Sequence, residues 1–146
     1  MKYVKALEDV VSAWSHISVH SHRFGGREFL FGAAEVGHVH SNGIVDVPFT
    51  RPIHDLLLSE RLADQHRWVP NSGWITFRIR EEQDIRHAVW LLRLSYLRYA
   101  LKEAIEPRRL LEQESEELRL SPRFKSLLEP FVPKNTRTVS AESLPA

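Results

Sequence analysis

The sequence contains no cysteine. Disulfide bridges, thiolate zinc sites and a cysteine nucleophile are therefore excluded, and the redox compartment leaves no mark on the chain. No run of apolar residues approaches the length needed to cross a bilayer. The segment from Met1 to Trp14 carries Lys2, Lys5, Glu8 and Asp9 among its apolar positions, so it lacks the unbroken apolar core of a signal peptide. A cytoplasmic protein without a membrane partner is the expectation. An excess of charge of one sign is also missing. The formal net charge is +1, which creates no global field toward nucleic acid, and nucleic acid is disfavoured as a partner. There is no G-x-S-x-G elbow, no phosphate-binding glycine loop and no zinc-protease motif.

What remains is a chain of 146 residues, 42% hydrophobic and 27% charged, which is the size and balance of a domain with one hydrophobic core. Val4, Leu7, Val10, Val11 and Trp14 recur at helical spacing and predict an amphipathic helix near 2–14. Ser15 to Arg23 is polar, holds three histidines and reads as a connector. Gly25-Gly26 then precedes a short strand, Arg27 to Phe31. Two further alternating segments, Glu35 to His40 and Ile44 to Phe49, flank Ser41-Asn42-Gly43. That is a strong hairpin signal, because Asn and Gly take positive φ at little cost. Pro52 opens a helix with Ile53, Leu56, Leu57 and Leu62 inside. Trp74 to Ile79 alternates cleanly as a strand, with Trp74, Thr76 and Arg78 on one face.

The longest element begins near Glu81 or Glu82 and carries an inner stripe from Ile85 to Ala100. Leu91, Leu94 and Leu101 widen that stripe, so either the C-terminal region or a second subunit packs on it, the latter making a homodimer. Beyond Pro107 lies a charged helix. Ser121-Pro122 predicts an N-cap and first turn for a short final helix. From Pro133 the chain is polar and small, as in disordered tails. The expected class is α+β: helix, three-stranded antiparallel meander, helix, strand, long helix and a C-terminal helical appendix. The expected limits are residues 1–106 for the α+β domain, 107–132 for the appendix and 133–146 for the tail.

The hairpin carries the clearest chemical signal. His38 and His40 stand two apart on a strand and so share a face. A three-residue loop, Ser41 to Gly43, sets His38 opposite Asp46 and yields a His-His-Asp cluster. A two-residue Asn42-Gly43 turn sets the histidines over Val45 and Val47 instead. His66 can add a third imidazole from the loop before the last strand, and Trp74 an aromatic wall. Imidazoles titrate near neutral pH and so can accept or donate a proton there. No cofactor is expected. The alternative is a divalent metal at the histidine cluster, since two imidazoles and a carboxylate suit iron or zinc.

The stretches His22 to Phe29, Glu35 to His40, Val45-Asp46-Val47-Pro48, His66 and Ser72-Gly73-Trp74-Ile75 resemble the luciferase-domain family over about residues 20 to 100. The family consists mostly of uncharacterised bacterial and fungal proteins and includes the fungal bioluminescence luciferase. The resemblance implies a pocket for a planar phenolic or enolic small molecule and oxygenase-like chemistry without a redox cofactor. It places Glu35, His38, His40, His66 and Trp74 at shared motif positions. Asp46 departs from the fungal enzyme, where histidine stands, and the fungal protein's membrane-anchoring N-terminus has no counterpart here. The expected catalytic set is His38, His40, Asp46 and His66, with Glu35, Trp74 and Arg23 binding the small molecule. A looser similarity to the YjbR-like fold rests on His66, Trp74 and Ser95-Tyr96. It implies a non-catalytic binding or interaction module, with DNA binding suggested by fold alone.

Overall fold

The computed structural model describes residues 2–69 and 71–134. In chain order the elements are α1 (Lys2–Val11), β1 (Ile17–His22), β2 (Gly26–Phe31), β3 (Ala34–Val39), β4 (Ile44–Pro48) and α2 (Arg51–Ser59). They continue with β5 (Asp64–Gln65), β6 (Trp74–Arg78), α3 (Asp84–Glu103), α4 (Pro107–Glu117) and α5 (Pro122–Leu128). The class is α+β, with a six-stranded antiparallel sheet in the order β1-β2-β3-β4-β6-β5. Two compact units emerge, Met1–Tyr96 and Leu97–Ala146, so the boundary lies inside α3. No helix among the described residues is long and apolar enough to cross a membrane. The polar stretch expected as a tail lies, from residue 135, outside the described residues.

The expected connector from Ser15 to Arg23 is corrected by the structure. Ile17–His22 is strand β1, paired with β2 from Ile17 opposite Phe31 to His22 opposite Gly26. The physical reason is its place at the sheet edge. Only Ile17 and Val19 give it an apolar side, so its pairing with β2 decides a state that its composition leaves open. The short β5 likewise exists only through its pairing of Asp64 with Thr76 and Gln65 with Ile75. Gly26 permits the close approach of this outer ribbon: a Cβ there would lie 2.4 Å from the Val39 carbonyl oxygen.

Period-two patterning separates the two faces of the sheet. Phe29, Val39, Val45, Val47 and Ile75 occupy one face and have no exposed surface. Helix α1 reaches this face through Glu8, whose Oε1 accepts from Arg27 Nε at 3.1 Å. Helix α3 meets it where Ser95 Oγ donates to the Val36 carbonyl at 2.8 Å. At ~25 cal/mol per Å² of apolar area, each fully buried Leu, Val, Ile or Phe contributes about 1.5–3 kcal/mol, which makes this face the anchor of the sheet. The opposite face carries Glu28, His38, Asp46 and Thr76 in successive cross-strand positions. Four polar residues in one row are not explained by core formation.

The second unit follows its sequence signals closely. Pro107 stands in the first turn of α4, and Ser121 Oγ accepts a hydrogen bond from the Phe124 amide at 3.2 Å, capping α5. Lys125 bridges from α5 to Glu112 on α4 at 2.6 Å. Leu111, Phe124 and Leu128 are buried.

Candidate functional site

The β3–β4 hairpin adopts the three-residue loop. His38 stands opposite Asp46, and the His40 amide donates to the Ile44 carbonyl at 2.8 Å. The Gly43 amide closes the turn on the His40 carbonyl at 2.9 Å, while Asn42 Oδ1 accepts from the Ile44 amide. This register needs Gly43, whose φ of +91 lies in the left-handed region; a Cβ there would meet the Ile79 carbonyl oxygen at 2.8 Å. The imidazoles therefore sit over Asp46, not over Val45 and Val47.

A second irregularity brings in Glu35. Strict alternation places residue 35 on the face of Gly37, away from His38. The β2–β3 register slips between Phe29 and Leu30, so Phe29 pairs with Gly37 but Leu30 pairs with Glu35. Val36 is the extra residue of this bulge, and the bulge turns Glu35 onto the face of His38. Glu35 Oε2 then lies 2.6 Å from His38 Nδ1.

Asp46 is the hub of the site. Its side chain is 5% exposed. Oδ2 accepts from His38 Nε2 at 3.1 Å and from His40 Nε2 at 2.8 Å. Oδ1 accepts from Thr76 Oγ1 at 2.7 Å and faces His66 Nε2 at 3.5 Å. The Trp68 amide donates to His66 Nδ1 at 3.1 Å, which turns the His66 Nε2–H toward Asp46. His38, with a carboxylate on each ring nitrogen, is held as an imidazolium. Burial opposes its charge, but the hydrogen bonds and charges of Asp46 and Glu35 prevail and raise its pKa to about 9. Asp46 moves the other way: burial disfavours its charge, yet the bonds from His38, Thr76 and His40 hold it far below the usual carboxylate range. His40 makes its bond to Asp46 through Nε2 and not through Nδ1.

The structure brings in His22, which the sequence reading placed in a connector and outside the expected site residues. From the end of β1 its ring stacks on His38 at 4.3 Å between centroids and meets His40 edge-on at 5.1 Å. Its Nδ1 lies 3.4 Å from Glu28 Oε1. One ring nitrogen from each of His22, His38 and His40 lies within 4.8 Å of the others. The signal that could have located His22 is the alternation of Ile17 and Val19 ahead of a glycine pair, a weak strand pattern beside a hairpin.

These groups line a cavity of about 820 Å³. Of the expected residues, His38, His40, Asp46, His66 and Arg23 line it. Glu35 acts on His38. Trp74 lies against the His38 and His66 rings at 5.5 and 6.1 Å, bracing the imidazoles from beside them. The lining also includes Thr76, Arg67, Arg78 and Arg80, together with the exposed rings of Phe24 and Trp68 (90% and 79%). Phe24 has φ +51, an uncommon conformation for a bulky residue, which sets this exposed ring at the cavity edge at the expense of backbone strain.

Residues 33–95 match the family model of the Luciferase domain. The match covers β3, β4, α2, β5, β6 and most of α3; His22 lies outside it. No curated protein matches the chain, and no solved structure matches it.

Proposed function

From the match of residues 33–95 to the Luciferase domain model, we propose that this protein binds a planar phenolic or enolic small molecule and promotes its reaction with dioxygen. The observation supporting this reading is the convergence of four imidazoles and one buried carboxylate on a cavity edged by two exposed rings. Flat ligands gain most from such rings, because stacking adds about 0.5–1.5 kcal/mol to the area buried.

His40 is the proton acceptor in this scheme. Asp46 holds its Nε2–H, so Nδ1 takes the proton from the ligand's hydroxyl. The resulting oxyanion is met by the fixed positive charge of His38 and by Arg23 at the cavity wall. The enolate carbon then bonds to one oxygen of dioxygen, and the proton held by His40 passes to the other oxygen, giving a hydroperoxide. The ligand is oxidised by two electrons and dioxygen is reduced by two, so no redox cofactor enters the balance. An exposed apolar patch centred on Leu91, Leu94 and Leu101 would have favoured the alternative of an interaction module. Leu91, Leu94 and Leu101 are instead fully buried.

The test is a thermal-shift screen of planar polyphenols and hydroxypyrones, followed by oxygen-electrode measurements on the hits. The wild type is expected to bind and to consume oxygen. His40→Ala is expected to retain binding within a few-fold while losing at least 10²-fold in ligand-dependent oxygen uptake. Identical oxygen uptake by wild type, His38→Ala and His40→Ala would remove the histidines from the chemistry.

A further inference from the structure

We propose that His22, His38 and His40 form a binding site for one divalent first-row transition metal ion, with Asp46 as a fourth donor. The three rings come from β1 and from the end of β3, yet one nitrogen of each lies within 4.8 Å of the others. An ion bonded at ~2.0–2.1 Å to each nitrogen separates neighbouring donors by roughly 3–3.5 Å. Small rotations of the rings close that gap, and His40, a third exposed, has room to turn. Asp46 Oδ2 already lies at donor–donor spacing, 3.1 Å from His38 Nε2 and 2.8 Å from His40 Nε2.

The surroundings of the rings carry the argument further than proximity does. Glu28 on His22 Nδ1 and Glu35 on His38 Nδ1 leave the Nε2 of each ring for the ion, which displaces the Nε2 proton that His38 shares with Asp46 in the metal-free protein. That arrangement fixes the tautomer of a ligating histidine and raises its basicity. Asp46 is itself steadied by Thr76 on its other oxygen. Imidazole and carboxylate donors suit zinc or iron(II) and are poor hosts for calcium or magnesium, which prefer shells of oxygen alone. The cavity adjoins the cluster, so a coordination position stays open to a ligand or water. The inference goes beyond the function proposed above. Where both hold, the ion takes over from His38 and His40 the tasks of meeting the ligand's oxyanion and acidifying its hydroxyl.

The experiment strips the full-length chain with chelator and titrates it with Zn²⁺ and Co²⁺. Calorimetry gives stoichiometry and affinity, and the visible Co²⁺ absorption band reports nitrogen and oxygen coordination. One ion per chain is expected. His22→Ala and His40→Ala should each weaken it by at least about tenfold, and Glu35→Gln by roughly 10- to 100-fold. His20→Ala, on the same strand but bonded to Ser18, should bind as the wild type does. Circular dichroism confirms that each variant is folded, and His22→Ala removes a ring at the sheet edge where folding is least at risk. Absence of stoichiometric binding, or wild-type affinity in both His22→Ala and His40→Ala, would overturn the site. Metal binding without any ring ligand would sink the proposed function alone. Ligand binding and oxygen uptake in metal-free protein that takes up no ion would sink the metal site alone.

Discussion

One carboxylate decides the chemistry available at the histidine face. Asp46 has partners on both oxygens: His38 and His40 on one, Thr76 and His66 on the other. Replacing it by asparagine keeps the shape and removes the charge. In metal-free protein, Asp46→Asn is expected to lower stability by roughly 1–3 kcal/mol at pH 6, because buried donors lose a charged acceptor. The His38 pKa, raised to about 9 in the folded protein, should fall toward its ordinary value. The sign of the pH dependence follows from that rise. A histidine whose folded pKa exceeds its unfolded value of ~6.5 stabilises the fold in full below ~6.5 and loses that contribution as pH climbs through about 9. Asp46, depressed in the fold, contributes above its unfolded value and ceases to do so in acid. Wild-type stability should therefore plateau between about pH 4 and 6.5 and decline toward 9. The penalty of Asp46→Asn should shrink over the same rise. Urea midpoints and imidazole NMR shifts across this range are the measurements. A penalty that is constant from pH 6 to 9 would show that His38 and Asp46 are not paired.

At the scale of elements, two departures from regular pairing build the site. The Gly43 turn sets His38 over Asp46, and the Val36 bulge turns Glu35 to meet His38. The hairpin and its residues were legible in the sequence as one of two registers, since Ser41-Asn42-Gly43 serves a two-residue or a three-residue loop equally well. The choice is supported just beyond β6, where the Ile79 amide donates to the Gly43 carbonyl at 2.9 Å. Gly43→Val should cost at least about 1 kcal/mol, because a β-branched residue resists φ +91 and its Cβ collides with the Ile79 carbonyl. It should also loosen the imidazole cluster, read as lost cross-strand NOEs between His38 and Asp46. Unchanged NOEs in a folded Gly43→Val protein would show that the register does not depend on this glycine. The bulge could not be read ahead, because a strand that slips by one residue looks in sequence like one that does not.

The charge of the whole chain is nearly balanced at +1, so any strong salt dependence must come from a local field. Arg23, Arg67, Arg78 and Arg80 at the cavity supply one. Binding of an anionic planar ligand should weaken as salt rises, and Arg67→Ala should lower its affinity roughly two- to fivefold at low salt and flatten that dependence. Salt titrations of wild type and variant decide it; parallel curves would place the ligand elsewhere.

The sequence by itself determined the α+β class, the apolar stripes of α1, α2 and α3, the capped start of α5 and the shared face of His38 and His40. All of these follow from local rules: 3.6- and 2-residue periods, glycine and proline stereochemistry, and side-chain caps. Only the tertiary structure decided that Ile17–His22 is a strand, that His22 joins the cluster, that Glu35 faces His38 and that Asp46 serves four partners at once. Each of these depends on cross-strand register, and register is settled by what the neighbouring strand offers across about 5 Å, which no local pattern in a single strand encodes.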